Sequence, residues 1–305
     1  FLDTKKDSYE LDYNKLPDVI TEKTKAVIPV DIAGKLCHYE TILPIVEANS
    51  HHFKPANDIQ KAIGRIAVIS DSAHGFGSTR TGKMSGTLAD FTAFSFHAVK
   101  NLTTCEGGAI TWNNIKGIDS EKLYKNYMLM CLHGQTKDAF SKSQLGSWEY
   151  DIMFTGYKCN MTDTLASLGL SQLSRYDSLI SRRKEIVRRY SKMCDDLKVE
   201  YMHHFADNFE SNCHLFLTRI PGISELERND IISEMAKNGI TCNVHFKPLP
   251  MMTAYKNLGF DIKDFPNSYE HYKNEISLPL HTLLSDDDVD YVIDCFTKII
   301  KARKK

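Results

Sequence analysis

The sequence predicts an α/β fold with a mostly parallel central sheet and flanking helices, followed by a smaller α+β domain. In the first half, short apolar segments alternate with helical stretches, as in a parallel sheet that is covered on both faces. The second half begins with a long helical tract at 163–197 and then mixes strands with helices. We therefore expect one domain over about 1–160 and a second over about 161–305.

The individual elements follow from apolar spacing and from cap residues. Helices are expected where apolar residues recur every three or four positions, and Gly239 and Ser285 are typical C-cap and N-cap residues. The tract 163–197 is expected to break near 176–178. The predicted strands are 25–30, 66–70, 91–95, 108–112, 214–219 and 240–246, and the predicted helices are 39–49, 58–63, 226–238 and one after Ser285.

Composition excludes several classes of protein. The 305 residues include 38 Lys and Arg against 39 Asp and Glu, so the net charge of -1 argues against nucleic-acid binding. No apolar run reaches the ~18 residues of a membrane helix, and no signal peptide is visible, so we expect a cytoplasmic protein. The eight cysteines contain no C-x-x-C pair. They indicate reduced thiols, and we expect no metal site.

One candidate ligand site follows the second predicted strand. Asp71 comes directly after 66–70, and His74 lies three residues further on. Ligands of open parallel sheets bind at the carboxyl ends of strands, where a carboxylate can hold a cationic heterocycle. The alternative is that Asp71 only caps a turn and that His74 is a hydrogen-bonded structural histidine.

A second candidate site follows the third predicted strand. Ser95 ends that strand, Lys100 lies in the next turn, and a Glu-Gly-Gly turn follows at 106–108. A hydroxyl and nearby backbone N–H groups can bind phosphate, and a lysine with a lowered pKa can form a Schiff base. A phosphate-binding lysine or a purely structural turn is the alternative. The two sites together suit pyridoxal phosphate, which needs a lysine, an acid at its ring nitrogen and a phosphate cradle.

Several longer strings resemble the DegT/DnrJ/EryC1/StrS sugar aminotransferases, which have the aspartate aminotransferase fold (fold type I). They run in family order along nearly the whole chain: ITEKTKAVIPVDIAGK (20–35), ISDSAHGFGS (69–78), FSFHAVKNLTTCEGGAIT (94–111), LHG (132–134), GYKCNMTDTLASLGLSQL (156–173), NVHFKPLP (243–250) and ISLPLH (276–281). The string around Lys100 is the most specific of them.

The resemblance implies transfer of an amino group from L-glutamate to a keto sugar on a nucleoside diphosphate. Lys100 would then hold pyridoxal 5'-phosphate as an internal aldimine and shuttle protons. Asp71 would pair with the pyridine nitrogen, His74 would contact the phenolic oxygen, and Ser95 would bind the phosphate. A UDP-4-keto-6-deoxyhexose, used for amino sugars of surface polysaccharides, is the expected acceptor.

Further residues are implied less directly. The segment from Gly156 resembles a loop that crosses a dimer interface, so Lys158 would reach the partner subunit's site in a homodimer. Its residues depart from the usual family string there, and a solvated loop lysine is the alternative. His245 and Lys247 lie on a loop that lines the sugar-nucleotide pocket in the family, although both could equally be structural.

About the first hundred residues of the family pattern have no counterpart in this sequence. We therefore expect either a portion of a longer protein or a truncated homologue. One alternative function is an inactive homologue with a regulatory or scaffolding role. Another is a pyridoxal phosphate-dependent sugar dehydratase, which Lys100 disfavours because those enzymes carry a histidine at that position.

Overall fold

The computed structural model describes residues 1–137 and 148–303, and it contains a four-stranded sheet in the first half. The strands lie in the order β1–β2–β5–β6, where β1 is Ala26–Val27, β2 is Ala67–Asp71, β5 is Phe91–Ser95 and β6 is Gly108–Trp112. Strands β1, β2 and β5 are parallel, and β6 is antiparallel to β5. The expected α/β class is confirmed. The antiparallel edge arises because 96–107 contains no crossover helix, which a parallel connection needs.

The first predicted strand is shorter than expected. Only Ala26–Val27 forms a ladder, and Val30 then makes an isolated parallel bridge to Asp71. The α-helices are α1 (Leu16–Val19), α2 (Tyr39–Ala48), α3 (Asp58–Ile63), α4 (Ser120–Cys131), α5 (Asp163–Leu173), α6 (Tyr176–Leu197), α7 (Glu225–Lys237), α8 (Thr253–Asn257), α9 (Pro266–Asn274) and α10 (Asp286–Arg303). The tract 163–197 does break, between α5 and α6 at 174–175, slightly before the predicted 176–178. No helix within the described residues is long and apolar enough to cross a membrane.

The second half is built around a three-stranded antiparallel sheet in the order β11–β10–β7, with β7 at Glu200–Tyr201, β10 at Phe216–Arg219 and β11 at Glu275–Leu278. The predicted strand 240–246 is wrong. Asn243 exchanges two backbone hydrogen bonds with Ser277, and the ladder then ends. The next N–H group that could pair with β11 is that of His245. It donates to the Glu275 carboxylate instead of a backbone carbonyl, so the ladder ends there.

Two large apolar clusters lie on either side of the expected boundary. One packs α2 against the central sheet, and the other packs α6, α7 and α10 against β10 and β11. Helix α6 buries one of its faces, which includes Ile186 and Tyr190, while its arginines mostly face outward. We therefore propose a division into two domains near residue 160.

Contacts between the two halves are extensive. The Asp3 carboxylate accepts hydrogen bonds from the backbone N–H groups of Asn267 and Ser268 on α9. A second small sheet joins β3 (Thr79–Arg80) and β4 (Lys83–Met84) from the first half to β8 (Phe205–Ala206) and β9 (Phe209–Glu210) from the second. The segment between β2 and β5 is thereby joined to residues of the second half.

Candidate active site

The neighbouring parallel strands β2 and β5 bring the two predicted sites together. Asp71 is the last residue of β2, and it is in register with Ala93, two residues before the end of β5. Ser95 ends β5, and Lys100 follows in a turn closed by its N–H bond to the His97 carbonyl. A cavity at this edge is lined by His74, Ser95 and Lys100. Asp71 is near enough for its charge to act on Lys100.

Burial lowers the pKa of Lys100 below its ordinary value, and the negative charge of Asp71 opposes that shift. Burial disfavours the charged ammonium form because the surroundings solvate it less well than water does. A larger fraction of the amine is therefore neutral near pH 7 than in a solvated lysine. The neutral amine is the nucleophilic form, so Lys100 is suited to attack an aldehyde.

His74 is held as a neutral hydrogen-bond donor. Its Nδ1 accepts a hydrogen bond from the backbone N–H of Ala33, at 3.1 Å. Burial, assisted by the charge of Lys100, lowers the pKa of His74 to about 3. A neutral imidazole whose Nδ1 is an acceptor carries its proton on Nε2. His74 can therefore donate from Nε2 to an oxygen atom of a ligand.

The segment that carries Ala33 is fixed by Asp31, which the sequence analysis did not single out. The buried Asp31 carboxylate accepts hydrogen bonds from the Cys37 N–H and from the hydroxyls of Tyr39 and Ser70. Asp31 follows the first predicted strand as Asp71 follows the second, and that parallel was the available signal. Asp31 supports the loop that holds His74, and its backbone N–H also donates to the Asp71 carbonyl at 2.9 Å.

The far wall of the cavity also comes from residues that sequence reasoning missed. His214 packs against His74 with ring centroids 4.3 Å apart, and its Nδ1 lies 3.0 Å from Oδ1 of Asn101. The Nδ2 group of Asn101 donates to the Asn212 carbonyl. All three residues are buried. Asn101 follows Lys100 directly, but nothing local in the sequence places His214 or Asn212 beside it.

The hydroxyl of Ser95 remains available as a donor. Its oxygen accepts a 3.3 Å hydrogen bond from the backbone N–H of His97, so the hydroxyl hydrogen can point to another acceptor. The side chain of His97 turns outward and lies 3.6 Å from Glu106, at the surface. The geometry is suited to a phosphate oxygen at Ser95, and it separates the side chain of His97 from that position.

The loop 243–250 lies next to this cavity. The rings of Phe246 and His74 are 6.1 Å apart, and Lys100 lowers the pKa of His245, although burial lowers it more. His245 and Phe246 also line a larger cleft of about 360 Å³, together with the exposed Lys247. The loop therefore lines the cleft and lies beside His74, which lines the cavity.

Lys158 lies apart from this group of residues. It is exposed, its Nζ donates to Oδ1 of Asn160 at 2.7 Å, and its backbone forms an antiparallel bridge with Leu132. Within the described residues of this chain, those contacts do not connect Lys158 to Lys100. A role in this site would require a second copy of the chain.

The set of polar groups at this sheet edge fits pyridoxal phosphate. It offers a partly neutral amine at Lys100, a carboxylate at Asp71, an Nε2–H donor at His74 and a hydroxyl at Ser95. These groups match the aldehyde, the ring nitrogen, the phenolic oxygen and the phosphate of that cofactor. Within the described residues, no group of three His, Cys, Asp or Glu side chains is arranged to hold a metal ion.

Comparison with known proteins identifies the family. The profile of the DegT/DnrJ/EryC1/StrS aminotransferase family matches residues 1–297. Spr1654 of Streptococcus pneumoniae, a candidate sugar aminotransferase solved in its PMP form, is 52% identical with a TM-score of 0.95; the match covers 99% of this chain and 75% of that one. The same protein has also been solved in a PLP form.

Two curated relatives match over nearly the whole chain. The spore coat polysaccharide biosynthesis protein SpsC of Bacillus subtilis is 34% identical over 99% of this chain and 73% of its own length. The UDP-4-amino-4,6-dideoxy-N-acetyl-β-L-altrosamine transaminase of Helicobacter pylori is 28% identical over 98% of this chain and 72% of its own length. The chain therefore belongs to the DegT/DnrJ/EryC1/StrS aminotransferase family and is a pyridoxal phosphate-dependent aminotransferase.

Proposed function

We propose that this enzyme transfers the amino group of L-glutamate to a keto sugar linked to a nucleoside diphosphate. The observation that carries the proposal is the half-buried amine of Lys100, which shares one sheet edge with Asp71 and one cavity with His74. That set of groups suits a cofactor-bound amino transfer. The names of the relatives support a sugar as the acceptor.

Each residue then has a role of its own. When bound, pyridoxal phosphate supplies an electron sink that makes the α-hydrogen of an amino acid acidic. The Lys100 amine, once released from the cofactor, moves a proton as general base and then as general acid. The Asp71 carboxylate keeps the ring nitrogen protonated, because an opposite charge favours the cationic form.

His74 and Ser95 orient the ring between them. His74 donates from Nε2, which is the only ring nitrogen that carries hydrogen when Nδ1 accepts from Ala33. Ser95 donates its hydroxyl hydrogen to a phosphate oxygen at the end of β5. These two donors would hold the cofactor ring in one orientation beside Lys100.

The larger cleft suits the sugar nucleotide. It is lined by His245, by the cation of Lys247 and by apolar side chains such as Phe246 and Leu249. A cation beside an apolar wall can hold a diphosphate and a deoxy sugar at the same time. We propose a UDP-4-keto-6-deoxyhexose, since the H. pylori relative is named for a UDP-linked dideoxy amino sugar. The name of SpsC supports a product destined for a surface polysaccharide.

We also propose a homodimer in which Lys158 serves the partner's site. The segment from Trp148 to Leu173 exposes many large apolar side chains, with Trp148 77%, Tyr157 87% and Leu170 70% exposed. Apolar surface of this extent is typical of protein–protein interfaces. Lys158 lies within the same segment.

The test is a complete transamination assay. The enzyme is incubated with pyridoxal phosphate, L-glutamate and a UDP-4-keto-6-deoxyhexose, and the amino sugar is measured by mass spectrometry. We expect one amino sugar per 2-oxoglutarate formed and no product from Lys100→Ala. The matched control, Lys116→Ala, changes an exposed lysine and should behave as wild type. Amino transfer to a dTDP-linked sugar alone would refute the proposed nucleotide, and no transfer to any keto sugar would refute the proposal itself.

A further inference from the structure

The imidazole of His245 is one end of a buried chain of hydrogen bonds. Its Nδ1 lies 2.7 Å from Oγ of Ser277, and that oxygen lies 2.5 Å from Oε1 of Glu275. The other carboxyl oxygen, Oε2, accepts the backbone N–H of His245 at 2.8 Å. The ring and the carboxyl group are therefore joined twice, once through the backbone and once through the Ser277 hydroxyl.

The strand β11 holds this chain in place. Residues 275 and 277 point to the same face of a strand, because side chains alternate. Glu275 is 1% exposed and Ser277 is 3% exposed. The two backbone bonds between Asn243 and Ser277 then bring the loop to that face, two residues before His245. These hydrogen bonds restrict the orientation of the side chains of His245, Ser277 and Glu275.

We infer that Glu275, acting through Ser277, selects which ring nitrogen of His245 carries the proton. The inference rests on the proposed function, because His245 matters only if its loop borders the reacting groups. Glu275 and Ser277 are positioning residues in this account, and neither touches the substrate.

The selection follows from donor and acceptor rules. An ionised carboxylate can only accept, so the Ser277 hydroxyl donates to it and its oxygen accepts from His245. The proton then sits on Nδ1, and Nε2 is an acceptor that faces Nδ2 of Asn243 at 3.4 Å. When Glu275 is protonated on Oε1, the chain reverses. Its O–H donates to Ser277, Ser277 donates to Nδ1, and the proton of the ring moves to Nε2.

The burial of Glu275 places this reversal near neutral pH. Burial raises the pKa of Glu275 to about 8, while the hydrogen bonds from Ser277 and the His245 N–H, and then the charge of Arg228 on α7, lower it. The Cys242 thiol also faces this carboxyl group. Tyr9, from the N-terminal segment, faces the same carboxyl group and has its own pKa raised, by burial first and then by Glu275. At the other end of the hydrogen-bond chain, Lys100 and His74 lie near the imidazole of His245. Both forms of the chain are thus accessible to the working enzyme.

The consequence is a pair of imidazoles with opposite roles. His74 always presents an Nε2–H donor, because the backbone of Ala33 occupies its Nδ1. His245 presents an acceptor Nε2 when Glu275 is ionised. This atom lies 3.4 Å from Nδ2 of Asn243, a long contact at the surface that an N–H or O–H group of the substrate would replace. When Glu275 is protonated, Nε2 of His245 carries a hydrogen and cannot accept a hydrogen bond from that group of the substrate.

The experiment reads the tautomer directly. The wild-type chain is labelled with ¹⁵N-histidine, and the His245 resonances are assigned by their loss in His245→Gln. Above about pH 9, where Glu275 is ionised, we expect the proton on Nδ1. In Glu275→Gln, the amide oxygen accepts the His245 N–H and the amide NH₂ donates to Ser277. The proton should then sit on Nε2 at every pH above the pKa of His245.

Two further variants keep the test decisive. Ser277→Ala cuts the chain, so the tautomer of His245 should no longer change with pH. Thr218→Val removes a buried hydroxyl from the same sheet, one that bonds the Ile276 carbonyl and not His245, and should behave as wild type. The same His245 tautomer in wild type at high pH and in Glu275→Gln would overturn the inference, as would a pH-dependent tautomer in Ser277→Ala.

Kinetics separate this inference from the proposed function. We expect Glu275→Gln to raise KM for the sugar nucleotide on the order of tenfold, as a wrong tautomer does in other enzymes to a larger degree. The binding of pyridoxal phosphate at Lys100 should be unchanged. Failure of wild type to aminate any keto sugar refutes the function and leaves the NMR result standing. An unchanged KM in a variant whose tautomer is inverted refutes the role of His245 toward substrate.

Discussion

Replacing Glu275 with glutamine should change how the stability of the protein depends on pH. Burial raises the pKa of Glu275 from 4.5 to about 8 in the folded protein. The folded state therefore binds the proton more tightly than the unfolded state, and stability falls as pH rises from about 4.5 to about 8. A glutamine does not titrate, so Glu275→Gln lacks this part of the dependence.

The magnitude follows from the two pKa values. Proton linkage between 4.5 and about 8 gives a loss of about 3.5 kcal/mol between pH 5 and pH 8 in wild type relative to the variant. The buried histidines also make stability depend on pH, because burial lowers the pKa of His74 and His204 to about 3. That contribution is common to both proteins and cancels in the difference.

The assay is urea unfolding of both proteins without cofactor at several pH values from 5 to 8. The free energy of unfolding of wild type should fall by about 3.5 kcal/mol relative to Glu275→Gln across that range. Glu121→Gln, on the exposed side of α4, is the matched control and should run parallel to wild type. Parallel profiles for wild type and Glu275→Gln would refute the reasoning, because they would mean that the carboxyl group has the same proton affinity folded and unfolded.

Three other substitutions test separate parts of the structure. Asp71→Asn should slow the reaction with L-glutamate at least about a hundredfold in stopped-flow measurements, since an amide cannot hold the ring nitrogen protonated; an unchanged rate would contradict the assigned role. His74→Phe removes the Nε2–H donor, so the absorption maximum of the bound cofactor should shift, and an identical spectrum would count against that donor; stability should also fall by about 1–3 kcal/mol, because the Ala33 N–H loses its acceptor. Asp90→Ala should cost about 3 kcal/mol in urea unfolding, because Arg65 and the Val68 N–H lose their shared acceptor; a loss under about 1 kcal/mol would contradict this.

The elements that the sequence predicted well are those determined by local pattern. The strands 66–70 and 91–95 are short apolar runs bounded by polar turns, and both appear within one residue of their expected limits. Helix 58–63 begins and ends where expected, because Asn57 caps its first turn and Gly64 takes the left-handed conformation at its end. Such boundaries depend on residues that are close in the sequence, so they can be predicted from it.

The elements that failed depend on pairing between distant segments. Segment 240–246 has apolar residues suited to a strand, but its pairing with β11 stops after Asn243 because the His245 N–H donates to the sequence-distant Glu275 carboxylate. The same holds for the site. Asp71, Ser95 and Lys100 follow predicted strands, whereas His214 reaches the cavity only because the two halves pack together. No local pattern encodes that contact.

The most direct test of the central claim is to locate the lysine that holds pyridoxal phosphate. The protein is loaded with the cofactor, reduced with borohydride and digested, and the peptides are mapped by mass spectrometry. The account predicts a single phosphopyridoxyl group on Lys100, absent from Lys100→Ala and absent when L-glutamate is added before reduction. Modification of another lysine in place of Lys100, or label that L-glutamate cannot remove, would contradict it.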